Sequence, residues 1–471
     1  MDTPLIATSF KVTDWIERAL AASVARGCIV IVQESHEVNL RWAANALTTN
    51  GAMTERTATV ISTADVDGGI SAASVTGPLA SPEDLLALVA QADAAATGAP
   101  ADDEAQPLVS GGRDADFDGS AYLVGPGDFA SLAGDVGRSF ARARDEGHLL
   151  FGFAEYRQST TWLANSTGLR RRAVEPSGRV EFNAKMPDLI NSAWVGAQSN
   201  DFTDVDIAAM HGELVRRLGW GERRIDLPAG SYETILPPGA VVDLMLDAYW
   251  TMSARDAEEG RTVFAGRERG ATRMGERLSP LPITMASDPT DPRLPVAPFA
   301  VVASSAPGMM SVFDNGAPVE RVEWLREGEL ASLFRTRAGM QRAGLEGPIL
   351  FPTENVIIDG GGKASIDEMI ASTKRGLLLT CLWYIREVDP QTLLLTGLTR
   401  DGVYLIEDGD VVGMVNNFRF NESPISLLSR ATEASTAEHV LCREWSDWFT
   451  RSVAPALRIP DFNMSTVSNA Y

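Results

Sequence analysis

The chain has 471 residues, 45% of them apolar and 7% aromatic, enough to bury large cores in two or three domains of ordinary size. Lys and Arg number 41 against 63 Asp and Glu, a net charge of −22, and no basic run exceeds Arg170 to Arg172, so the surface repels a phosphate backbone and direct nucleic-acid binding is not expected. Three cysteines are too sparse for a disulfide framework, Leu294 to Met310 is broken by Pro295, Pro298 and Pro307, and the opening residues show neither a basic leader nor an apolar h-region; the expected setting is a reducing cytoplasm, away from membranes.

In chain order, Thr13 to Arg26 has helical spacing, with Trp15, Ile16, Leu20, Ala21 and Val24 inward and Gly27 as the stop. The apolar strand CIVIVQES follows. EVNLRWAANALTTNG ends in Asn50-Gly51, a hairpin signal, and two more strands are expected around Gly68-Gly69. Ser81-Pro82-Glu83-Asp84 starts a helix that runs to about Ala96. Residues 98–119, rich in Gly, Pro and Asp, read as a long exposed acidic loop that cannot bury enough surface to order itself fully. A helix over Asp128 to Glu146 closes at Gly147. From Leu149 to Met186 the period is two, giving four short strands with Pro176-Ser177-Gly178 as a turn, and DVDIAAMHGELVRRLG is again helical.

The second half opens with the strand SYETIL, and Pro237-Pro238-Gly239 launches a helix bearing Val242, Leu246, Tyr249 and Trp250. Thr262 to Arg342 is loop-heavy, and its six-proline stretch LSPLPITMASDPTDPRLPVAPF is expected to wrap a surface or line a groove. Lys363 to Val415 is the most legible unit. Ser365 and Glu368 form a capping box, Ile366, Met369, Ile370 and Thr373 share a face, and Gly376 is the expected left-handed stop. LLLTCLWYI reads as one strand, QTLLLTGLT follows the Asp389-Pro390 turn, and YLIEDGDVVGMV folds back through Asp408-Gly409. The fold class is α+β, in two domains, residues 1–227 and 228–471, each a mainly antiparallel sheet flanked by helices.

Residues that carry chemistry are scarce. No two of His36, His148, His211 and His439 are close in sequence, and His36-Glu37 continues into Val38-Asn39-Leu40-Arg41, so no metal-binding helix motif exists. Each histidine reads as a surface or locally satisfied side chain. Asp243 and Asp247, one helical turn apart, either hold a hard cation or form a solvated face. Cys442 has His439 three residues before it, a possible nucleophile and base if both lie on one helix. Gly360-Gly361-Gly362-Lys363 lacks the rest of a phosphate loop and reads as a tight turn.

Three stretches carry a family resemblance: RWAANALTTNG, SIDEMIASTKRGLLLT with the hairpin GVYLIEDGDVV, and the tail PALRIPDFNMSTVS. In order and over almost the whole chain, they resemble the TldD/PmbA (TldE) metallopeptidase family. That resemblance implies a two-domain α+β protein working as a dimer, a TldD subunit holding zinc through a His-Glu-x-x-x-His helix and a distal Cys, and a substrate tunnel for unfolded or leader peptides. Here the corresponding helix reads VVDLMLDAYWTMSARD, without His, while Ala271 to Leu278 and Ser311 to Gly316 look like the TldE branch. The implied role is a TldE-like subunit with no catalytic residue, no metal ligand and no cofactor of its own, with zinc expected in a TldD-like heterodimer partner. An extended peptide is expected to add to a sheet edge at Leu393, Leu394, Leu395, Thr396, Gly397 and Leu398. The alternatives are a homodimeric peptide-binding protein without catalysis and a hydrolase dependent on Cys442.

Overall fold

The computed structural model describes residues 11–468. The reading of the opening residues as free of a leader falls largely on residues 1–10 and lies outside them. No described helix is long and apolar enough to cross a membrane.

The first half is built on six antiparallel strands. They are β1 (Gly27–Ala43), β2 (Ala46–Val66), β3 (Gly69–Pro78), β4 (Leu149–Asn165), β5 (Arg170–Lys185) and β6 (Ser192–Ser199), in the order β3-β2-β1-β4-β5-β6. At about 3.3 Å per residue, β1 is roughly 55 Å long, so one face can carry two pairs of helices side by side. Its even-numbered residues Cys28, Val30 and Val32 pack under α1 (Val12–Ala22) and α2 (Pro82–Gly98). Val38, Leu40 and Trp42, on the same face, pack under α3 (Ala130–Glu146) and α4 (Ile207–Trp220). Odd-numbered Ile29 and Ile31 face the other way, against Phe299, Val312 and Phe313 from the second half.

Three expectations change here. The β1–β2 turn lies at Ala44-Asn45, both with positive φ (48° and 61°), whereas Asn50-Gly51 sits inside β2. The four short strands are two long ones: Pro176 is tolerated inside β5 because β6 pairs only from Gly178 onward, so its missing N–H breaks no ladder. The 98–119 segment is anchored, with Phe117 fully buried, Glu104 buried, and Asp114 accepting from Arg171 Nη1 (2.8 Å) and the Arg172 amide (2.9 Å).

The second half holds two sheets. β7 (Arg224–Ile225) and β8 (Gly230–Leu236) precede α5 (Pro238–Trp250). β9 (Thr284–Ser287), β10 (Val322–Arg326), β11 (Glu329–Leu330) and β12 (Asn355–Asp359) follow. Next come β13 (Arg375–Leu379), β14 (Leu382–Asp389), β15 (Leu394–Thr399), β16 (Val403–Glu407), β17 (Asp410–Val415) and β18 (Phe418–Glu422). The last are β19 (Glu433–Ala434), β20 (Glu438–Val440), β21 (Arg451–Ala454) and β22 (Leu457–Val467). One sheet runs β11-β10-β9-β12-β21-β20; the other runs β14-β15-β18-β22-β8-β13-β16-β17-β7, with β19 against β22. Most pairings are antiparallel; β8–β13, β12–β21 and β7–β17 are parallel. α5 lies in the core both sheets share, with Val242, Leu246 and Tyr249 buried beside Trp324, Leu377 and Ile459.

The Lys363–Val415 unit keeps its capping box, Ser365 Oγ accepting from the Glu368 amide at 3.2 Å, and its Asp408-Gly409 turn (φ 51° and 89°). Its helix, Ile366–Ala371, stops short of Gly376, because the Met369 carbonyl is taken by the Ser372 and Thr373 hydroxyls and by Arg458. Gly376 lies in β13, where a Cβ would meet the Glu233 carbonyl at 2.9 Å. LLLTCLWYI is two strands, broken at Thr380-Cys381. Leu393 precedes β15, and Leu394 to Leu398 lie within it, between β14 and β18; this strand is interior, so no peptide can add there. The pattern of alternate apolar residues resembles that of an edge strand, and nothing local marks which neighbours it has.

Candidate functional site

The segment that follows β20 joins the two halves, and α5 positions it. Asp243, fully buried, accepts from the Glu444 amide (2.8 Å) and the Arg443 amide (3.2 Å), while Trp445 Nε1 donates to its backbone carbonyl (2.9 Å). Glu444 in turn accepts from the amides of Tyr384 and Ile385 (both 2.9 Å), which occupies part of the free edge of β14. Arg443 lies over Trp383 (4.3 Å) and Trp194 (5.2 Å) and pairs with Glu181 (3.1 Å). The segment is thus held to α5, to β14 and to β5.

Its next residues reach the β4–β5 face. Arg179 pairs with Asp447 (2.5 Å) and Glu181 (3.4 Å), and Ser446 donates to Glu181 (3.3 Å). Asp447 lines two hollows. One, of about 310 Å³, is bounded by Glu155, Arg157, Glu175, Phe299, Trp448 and Arg451; the proline-rich segment contributes Val296, Ala297 and Phe299 to its wall. The other, of about 580 Å³, is bounded by Trp42, Phe153, Lys185, Trp194, Trp383 and Arg443. Together they follow the seam between the halves. Burial raises the Glu155 and Glu175 carboxyls above their usual range, and Trp448 is 79% exposed at the rim. Aromatic faces, guanidinium groups and carboxylates side by side suit an extended chain with varied side chains better than one rigid ligand.

The residues singled out for chemistry take other roles. Asp243 and Asp247 are not a solvated face: both Asp243 oxygens accept from backbone amides, and Asp247 Oδ2 is buried with no hydrogen-bond partner among the described residues. Burial pushes Asp243 up to about 8 and Asp247 up to about 7. Cys442 and His439 share no helix. The Cys442 thiol, raised well above its usual range by burial, donates to the Phe449 carbonyl (3.3 Å), and His439, in β20, bonds Gln198 (3.0 Å). His36 is locally satisfied, bonded to Glu34 (2.8 Å) and Thr54 (3.1 Å). His148 and His211 are not: they meet across the fold, both largely buried, with ring nitrogens that have no hydrogen-bond partner among the described residues. Sequence spacing hid the pair because 63 positions separate its members, and the seam was hidden because its two walls are more than 100 residues apart.

Residues 229–466 match the family described as PmbA/TldA metallopeptidase C-terminal domain. The fold is similar to that of TldE from Thermococcus kodakarensis (TM-score 0.76, 16% identity, covering 96% of this chain and 99% of that one). It is also similar to candidate modulators of DNA gyrase from Thermotoga maritima (0.72, 15%, 96% and 99%) and Bacteroides thetaiotaomicron (0.72, 14%, 97% and 99%). No curated protein matches.

Proposed function

The chain belongs to the PmbA/TldD metallopeptidase family, and from that membership we propose that it is a TldE-like subunit, completing the substrate chamber of a zinc-bearing TldD-like partner and supplying no catalytic metal ligand. The observation that carries this reading is the donor set at α5. A catalytic zinc needs about three protein ligands and an open position. Val241 to Asp256 contains no histidine, the Asp243 carboxylate is committed to two amides, and the Cys442 thiol is buried on a carbonyl. These residues do not fit a catalytic zinc, and no hydrolytic step is assigned to them.

The seam supports the second part of the reading, as this chain's share of a peptide-holding surface. Arg179, Asp447 and Arg443 can bond main-chain groups of an unfolded segment, while Trp194, Trp383 and Trp448 offer apolar contact that does not depend on one side chain. The test is co-expression with a family member that carries His-Glu-x-x-x-His, followed by size measurement and peptidase assay on an unfolded protein. We expect a heterodimer that cleaves peptide and an isolated chain that does not. Hydrolysis by the isolated chain would overturn the proposal; a stable self-dimer that captures peptide and ignores the partner would replace it with the non-catalytic binding protein.

A further inference from the structure

We propose that Glu146, His148 and His211 form a site for one divalent transition-metal ion, zinc in class, that ties α4 to the corner between α3 and β4. Gly147 makes this corner: its left-handed φ of 77° ends α3 and turns the chain straight into β4, so Glu146 and His148 flank the turn. The His148 amide donates to Ala143 O (2.8 Å), and the His148 carbonyl accepts from Asn45 Nδ2 (2.7 Å), which fixes the backbone beneath the imidazole. His211, in the first half of α4, completes the set; its side chain is 1% exposed.

The geometry asks for an ion. Glu146 Oε2 lies 3.6 Å from His148 Nδ1 and 3.7 Å from His211 Nε2, and all three donor atoms lie within 4.8 Å of one another. Those separations are too long for hydrogen bonds. They are close to the spacing of about 3.3 Å between donors that each sit roughly 2.0–2.1 Å from a tetrahedral zinc. The same protein shows what a direct contact looks like, since His36 Nε2 and Glu34 Oε1 close to 2.8 Å. His148 Nδ1 and both His211 nitrogens are buried without a hydrogen-bond partner among the described residues, and buried polar atoms are rarely left so. Glu146 Oε1 accepts from Arg142 Nε (2.8 Å), which aims Oε2 at the imidazoles as outer partners of metal ligands do. Two imidazoles and one carboxylate select a borderline ion over calcium or magnesium. Glu146, 33% exposed, leaves an entry path and a position for water as the fourth ligand.

The site is remote in sequence from α5 and independent of the peptidase proposal. The test uses the full chain, stripped with chelator and titrated with Co(II) and Zn(II). We expect one equivalent of Co(II) to give the visible absorption of a low-coordinate site, Zn(II) to displace it, and Zn(II) to raise Tm reversibly. Because His211 is buried and its replacement risks misfolding, the deciding variants are His148→Ala and Glu146→Gln, checked for native circular dichroism and elution volume. Each is expected to weaken Co(II) binding by more than about 100-fold, and His439→Ala to leave it unchanged. No stoichiometric binding by the wild-type chain, or binding that survives His148→Ala and Glu146→Gln, would overturn the inference. Metal binding without peptidase activity in the isolated chain leaves the α5 reading intact; peptidase activity of the isolated chain that disappears with His148→Ala would sink that reading and keep this one.

Discussion

The turn of α5 around Asp243 and the corner of α3 and α4 around His211 both bury titratable side chains, but they dispose of the lone pairs in opposite ways. At Asp243 both oxygens are engaged: each accepts from a backbone amide, and the nearby thiol of Cys442 is tied to a carbonyl. At His211 three donors converge, and the imidazole nitrogens facing Glu146 remain unspent. The first arrangement is a scaffold that anchors the 443–445 backbone; the second is a ligand set where no motif announced one. Metal-binding capacity is therefore better read from uncommitted lone pairs than from residue spacing.

The largest effect should come from cutting the scaffold. Asp243→Ala leaves the amides of Arg443 and Glu444 without acceptors in the core and opens a cavity, so a loss of roughly 3–5 kcal/mol is expected in urea unfolding. Asp243→Asn keeps one acceptor and should lose less. A loss below about 1 kcal/mol for the alanine variant would mean the 443–447 segment is held by its aromatic and ionic contacts alone, and the contrast with the His211 corner would fail.

The two regions also differ in how far sequence could reveal them. The helix start at Ser81, the capping box at Ser365 and the Asp408-Gly409 turn were legible because both partners of each interaction lie within four residues. Asn50-Gly51 and Pro176-Ser177-Gly178 misled for the same reason: turn residues are tolerated inside long strands where one edge is unpaired, and strand length is a tertiary property. β15 was misplaced as an edge because neighbours are chosen by topology. The seam and the Glu146–His148–His211 cluster depend on contacts between distant segments, and no local period encodes them.

The corner can be broken from its support. Asn45, with φ 61°, donates to the His148 carbonyl and accepts from the Leu150 amide (both 2.7 Å), so Asn45→Ala loses both bonds and places a less tolerant residue in a left-handed turn. Destabilisation of about 2–3 kcal/mol is expected, together with weaker Co(II) binding, since His148 loses its fixed backbone. Asn45→Asp keeps the acceptor for Leu150 and should recover part of the stability. Unchanged cobalt affinity in a destabilised Asn45→Ala would show that the imidazole is placed by side-chain packing instead.

The last effect is read as a pH dependence and concerns Asp247, which stands between the two cases: it is on the scaffold helix, yet Oδ2 has no hydrogen-bond partner among the described residues. Burial, then the charges of Glu387 and Glu444, raise it to about 7. A carboxyl whose folded pKa lies above its unfolded value of about 4 binds a proton in the native chain that the unfolded chain has released. Its contribution is therefore fully present below pH ~4 and is lost as pH rises to about 7, with a slope of up to about 1.4 kcal/mol per unit. Asp247→Asn removes that titration while Asp243 stays in both chains and cancels from the difference. The stability of the variant relative to wild type should climb between pH 4.5 and 7.5 and then level off. A flat difference would mean that Asp247 is ionised and hydrated throughout, and that α5 carries an acceptor as free as those of the His211 corner.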